Sequence, residues 1–292
     1  MNSETSSVEV ALDAAAELGE GPLWDDHTGT LLWVDILRHE VHRYDPIDGS
    51  DHSCRLPDPV GAVVPRARGG LAVAFGMRFG LLDEDSGQVS ELARVHKGDR
   101  MNDGACDPAG RFWAGTMTDA QTAAGSALYV LEPNAAVHEA LSGVTLSNGL
   151  AWSPSGDLLY YADTPLQRVD VFDYDVASGQ LSNRRTVVDL ADADGRPDGL
   201  TTDADGNLWV AMARGRQVRC HRPDGRLEHV VSIPAPSVTS CAFGGPSLTE
   251  LYVTTARWFA TPEHLSEYPQ AGAVFRVDGL GARGLPSHRF AG

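Results

Sequence analysis

Along this chain apolar and polar positions change over in short bursts, and no stretch sustains the 3.6-residue period of a long amphipathic helix. Runs rich in Trp, Tyr, Val and Leu are separated by Gly, Asp and Pro turns, the texture of strands joined by tight connections. Helix is expected only in short pieces, for example around Pro262 to Tyr268. The pattern predicts an all-β protein.

The bursts repeat. Six resemble one another: LLWVD at Leu31, LAVAF at Leu71, FWAGT at Phe112, YYADT at Tyr160, LWVAM at Leu208 and LYVTT at Leu251. Aligned on Trp33, Ala72, Trp113, Tyr161, Trp209 and Tyr252, they recur at intervals of 39, 41, 48, 48 and 43 residues, close to the roughly 40–50 residues of a four-stranded propeller blade. Turns of one chemistry precede most of them, in WDDHTGT at Trp24, CDPAGR at Cys106, WSPSGD at Trp152 and TDADGN at Thr202. Asp or Ser caps such a turn and Gly supplies its positive φ. A third strand and a second turn follow, as in YDPIDG at Tyr44 and YDVASG at Tyr174. With no Pro-rich linker in residues 1–292, the expectation is a single six-bladed β-propeller of four-stranded antiparallel blades around a central channel.

Registering the units on their turns exposes a polar column. Five residues before Asp25, Asp107, Ser153 and Asp203 stand Glu20, Asn102, Asn148 and Asp198, whereas the same count in the second and sixth units falls near Val60 and Ser240. Innermost strands line the channel, so equivalent positions converge on its axis. Two carboxylates and two amides there suit a hard divalent cation such as Ca²⁺, Mg²⁺ or Mn²⁺.

Composition narrows the partners. With 40 Asp+Glu against 23 Lys+Arg the net charge is −17, which argues against nucleic acid and anionic membranes as partners. Most of that excess is expected to solvate the surface. Neither a leader nor an apolar run of membrane-spanning length is visible, so the expected location is cytoplasmic. Cys54, Cys106, Cys220 and Cys241 form no CxxC pair and are expected as free thiols. Ten His without HExxH spacing, and the lack of a GxSxG elbow, leave zinc-protease and serine-esterase chemistry unsupported. Trp33, Trp113, Tyr161 and Trp209 are expected to pack blades, and Trp258 with Phe259 to be candidate pocket residues.

Six segments, LGEGPLWD at Leu18, RMNDGACDPAGRFWAGTM at Arg100, SNGLAWSPSGDLLYYADT at Ser147, LSNRR at Leu181, RPDGLTTDADGNLWVA at Arg196 and TSCAFGGPSLTELYVTTAR at Thr239, resemble in order and spacing the regucalcin/gluconolactonase family of sugar-lactone hydrolases. The resemblance implies a six-bladed propeller holding one divalent metal cation, with Zn²⁺ or Fe²⁺ also admissible. It implies metal ligands Glu20, Asn148 and Asp198, substrate-binding Arg100 and Asn102, and Asp198 as general base. Asp103, beside the ring and not needed as a ligand, is the second candidate base. The implied reaction is carboxylic-ester hydrolysis, an aldonolactone opening to its acid in carbohydrate catabolism. Organophosphate or aryl-ester hydrolysis and non-enzymatic calcium binding are the alternatives, and a monomer or weak homo-oligomer is expected. One departure stands out: Ala120 occupies the place of a substrate-contacting Glu of some members, with Asp119 next to it.

Overall fold

The structure, a computed structural model, describes residues 6–258 and 260–292; Phe259 lies outside them. Six four-stranded antiparallel sheets form the six blades of a β-propeller. Blades one to five are contiguous in sequence, over 19–55, 60–94, 100–144, 147–189 and 196–232. Blade six takes three strands from the C-terminal region, Val238–Gly244, Glu250–Thr255 and Val274–Asp278, and its outermost strand, Ser7–Leu12, from the N-terminal region. The repeat pattern does not reveal this closure, because one strand with apolar Val8, Val10 and Leu12 does not name its partner. Pairing covers the free edge of Val274–Asp278 and ties both ends of the chain into one ring.

The pairing also corrects the repeat alignment. Leu31, Leu71, Phe112, Leu159, Leu208 and Leu251 occupy equivalent places on the second strands, each opposite the last residue before the turn. Trp33 and Tyr161 therefore stand one residue out of step with Trp113, Trp209 and Tyr252, and successive strand residues face opposite ways. Trp33 packs back onto Tyr252 of blade six and Tyr161 back onto Trp113 of blade three, while Trp209 faces forward to Phe243. All five rings are buried between blades.

Turn and core are coupled through single carboxylates. Asp107 accepts from the backbone N–H groups of Ala109 and Arg111 with one oxygen and from Trp113 Nε1, at 2.9 Å, with the other. Asp203 does the same for Asp205, Asn207 and Trp209. Each Asp thus shapes its turn and fixes the adjoining indole. The helix expected near 262–268 is present as Pro262–Glu267, capped by Thr261. The four cysteines are free, and no described helix is long and apolar enough to cross a membrane.

The two ends of the channel differ. After the last strand the chain crosses one end, where Ala204 N–H donates to Arg283 O, Gly284 N–H to Leu248 O, Phe290 N–H to Pro65 O and Ala291 N–H to Gly110 O. Phe290 is buried against Phe112. This strap covers a channel cavity of about 460 Å³, lined from Asp103 at one end to Leu285–His288 at the other. The opposite end, where the innermost strands begin, is the mouth.

Candidate functional site

All six innermost strands slip register at one level: between Glu20 and Leu23, Val60 and Ala62, Met101 and Asp103, Ser147 and Leu150, Pro197 and Leu200, and Val238 and Ser240. Each holds one residue more than its partner over that interval, a β-bulge that re-aims a side chain. The polar column lies on these bulges. The structure places Gly61 and Thr239, rather than Val60 and Ser240, in the equivalent places of blades two and six.

Two glycines explain how neighbouring bulges crowd the axis. A Cβ on Gly61 would stand 2.6 Å from Met101 C and 2.7 Å from Asn102 N, and one on Gly149 would stand 2.6 Å from Asp198 O. Only Gly lets the next blade's bulge approach so closely. Just before the bulges, Asp35 accepts from the N–H groups of Glu17 and Leu18, and Asp163 from those of Thr145 and Leu146. These two carboxylates, visible in the sequence as the Asp of LLWVD and YYADT, hold the strand starts that lead to Glu20 and Asn148.

The amides are locked by mutual hydrogen bonds. Asn102 Nδ2 donates to Asn148 Oδ1 at 2.9 Å and to Ser147 O at 2.8 Å, while its Oδ1 accepts from Arg100 at 2.8 Å. Asn148 Nδ2 donates to Thr164 Oγ1 at 2.7 Å, and that hydroxyl donates to Pro197 O at 2.8 Å. Thr164 thereby joins Asn148 to the residue before Asp198. Sequence reasoning passed over it because it contributes through its contacts alone, its one signal being its place at the end of YYADT.

Electrostatics defines what the ring lacks. Glu20 and Asp198 are held well above the usual carboxylate range, first by burial and then by repulsion, Glu20 from Asp198 and Asp103, and Asp198 from Asp103. Burial pushes Asp103 up to about 6, against the Gly104 N–H that it accepts. Burial also pulls Arg100 down to about 10, opposed by the charges of Asp119, Glu20 and Asp198. With all four ionised, one guanidinium faces three buried carboxylates, an excess of two negative charges. Among the described residues no three His, Cys, Asp or Glu side chains are placed to share a cation. Beside the carboxylates the ring offers amide oxygen, and Asn148 Oδ1, whose side chain is oriented by the bonded Nδ2, is one such donor. The donors are all oxygen, so the site fits a hard divalent cation on both charge and ligand type.

The family described as SMP-30/Gluconolactonase/LRE-like region matches residues 18–257, the span that carries the ring. The chain belongs to this family. Regucalcin of Danio rerio is 40% identical over 290 residues, covering 98% of each chain. Among solved structures, a luciferin-regenerating enzyme superposes with TM-score 0.91 at 33% identity, covering 98% of this chain and 100% of its own. A calcium-binding protein, regucalcin, from Agrobacterium tumefaciens superposes with TM-score 0.92 at 26% identity over 97% of each.

In this member of the SMP-30/gluconolactonase family, Glu20, Asn102, Asp103, Asn148 and Asp198 are all buried around the axis, with Arg100 joined to Asn102. Asp119 is the foremost charge acting in favour of protonated Arg100, while Ala120 is exposed beside it. Lys97, three residues before Arg100, pairs with Glu139 at 3.2 Å and stays outside the ring. Trp258 lines a separate cavity on the mouth face.

Proposed function

We propose that this protein hydrolyses a sugar lactone to the corresponding aldonic acid, using a divalent cation held by Glu20, Asn148 and Asp198. The observation that supports the reading most strongly is the buried excess of negative charge set beside a fixed guanidinium and amide. When bound, such a cation supplies Lewis acidity toward a lactone carbonyl and acidifies a water.

The chain's own residues divide the remaining work. Arg100 spends one nitrogen on Asn102 Oδ1 and Met101 O, so the rest of its planar fork is available to sugar hydroxyls or the carbonyl. Asn102 keeps that fork in place. Asp198 accepts the proton of the attacking water, and Asp103, pushed up to about 6 and lining the channel cavity, is the next acceptor. Opening the ring breaks the acyl C–O bond, and the proton taken from water returns to the departing alkoxide. Asp119 provides a rim carboxylate where Ala120 provides no polar group.

Acid release from a panel of aldonolactones, followed by pH-stat on metal-depleted and reconstituted protein, tests the reading. Cation-dependent turnover above the spontaneous rate is expected. Cation binding without turnover of any lactone would instead favour a calcium-binding role, which the same charge excess also supports. A higher specificity constant for organophosphates or aryl esters on the same preparation would move the substrate class away from lactones.

A further inference from the structure

A second cavity, of about 490 Å³, opens on the mouth face over blades five and six, a volume in the range of small-molecule sites. Its position follows from the backbone. Arg214, Gly215 and Arg216 follow directly on Ala213, which pairs with Arg196, two residues before Asp198. Trp258, on the other wall, donates its backbone N–H to Glu17 O, three residues before Glu20. The cavity thus sits between the strand starts that deliver the two ring carboxylates.

Its chemistry is opposite to that of the ring. Two guanidiniums, Arg214 and Arg216, line it against one carboxylate, Glu267, in a chain whose net charge is −17. Arg216 is steered by Tyr268, over whose ring its guanidinium lies at 5.7 Å and to whose hydroxyl it donates. That partner is a phenol hydroxyl and ring, not a carboxylate, so the contact is not an ion pair. Trp258, 45% exposed, adds a flat apolar face suited to a sugar ring. The turn that carries the two arginines also differs from its equivalents. Arg216 shares its left-handed conformation, φ 55°, with Gln167 and His39, the residues before the third strands of blades four and one, but Arg214, φ 60°, is a second left-handed residue that those two turns lack.

We propose that this cavity is a rim subsite for a phosphate or carboxylate group carried by the sugar lactone away from its ring carbonyl, so that acidic lactones are preferred to neutral ones. Guanidinium forks recognise both anions through paired charge-assisted hydrogen bonds. The proposal rests on the lactonase reading above for its substrate, and on the cavity alone for its anion.

The test compares kcat/KM for a neutral aldonolactone, its 6-phosphate and its 6-carboxylate, in the wild type and in an Arg214→Gln/Arg216→Gln double variant. Gln167 already occupies the left-handed place of Arg216 in blade four, so the turn should tolerate the change. The wild type should prefer at least one acidic lactone by about tenfold, the scale of a charge-assisted contact, and the double variant should bring that ratio to about one. The two acidic arms separate phosphate from carboxylate recognition. A wild-type ratio near one, or a ratio that the double variant leaves unchanged, would overturn the subsite. Calorimetry with the open-chain 6-phosphoaldonate keeps the two readings distinguishable. If no lactone turns over, the lactonase reading fails, whereas tighter binding by wild type than by the double variant still supports the anion site and equal binding overturns it.

Discussion

Blades two and six carry the same one-residue bulge as blades one, three, four and five, yet only the latter four put a carboxylate or amide on it. In blade two the place belongs to Gly61, whose missing side chain admits the backbone of Asn102. In blade six it belongs to Thr239, whose hydroxyl is engaged with Gly19 O and Thr254 Oγ1. The bulge is thus a property of the fold. The polar groups are decided residue by residue on top of it, and blades two and six seat the four that carry a carboxylate or amide.

The largest test of this division is removal of a ring charge. Glu20→Gln or Asp198→Asn should lower lactone kcat/KM by about a thousandfold or more, the scale of losing a central electrostatic contributor, while raising the melting temperature of metal-free protein, because each relieves a buried repulsion. Unchanged turnover in both would remove them from the site. Thr164→Val, which unties Asn148 from Pro197, should weaken cation affinity by about 10–100-fold, as losses of ligand-orienting partners do, readable by calorimetry.

Gly61→Ala probes the seating role directly. The new Cβ meets Met101 and Asn102 backbone, so a destabilisation of about 1–3 kcal/mol is expected from overpacking, together with a fall in kcat/KM, although Gly61 offers no ligand. Thermal denaturation across pH separates charge from shape. Asp103 has a folded pKa of about 6 against an ordinary 3.8, so the folded state binds the proton more tightly and metal-free stability should fall as pH rises through that window. Glu20 and Asp198 act in the same direction. A divalent cation should restore the loss at pH 7 and do little near pH 4; a cation effect independent of pH would contradict the charge argument. The smallest effect is expected from Thr239→Val, a loss of about 1–2 kcal/mol for its hydrogen bonds with kcat/KM within a few-fold of wild type.

Much of the ring was legible because propeller blades repeat: counting from turn to turn placed Glu20, Asn102, Asn148 and Asp198 at one level without any contact information. The same counting missed by one residue at Gly61 and Thr239, where no Asp or Ser marks the turn. It also misaligned Trp33 and Tyr161, since an aromatic residue can serve on either face of a strand. Thr164, Asp35 and Asp163 escaped notice because positioning residues carry no chemistry of their own.

What the sequence by itself determined is periodic and local: the blade count, the strand and turn chemistry, and the identity of the polar residues at the mouth, all set by spacing and residue type. The tertiary structure alone decided the closure of blade six by Ser7–Leu12, the strap over the far end, the meeting of three carboxylates with one guanidinium, and the cationic cavity between blades five and six. Those depend on residues tens to hundreds of positions apart approaching within a few ångströms. Repulsion and burial act through distance in space, which a linear pattern does not record.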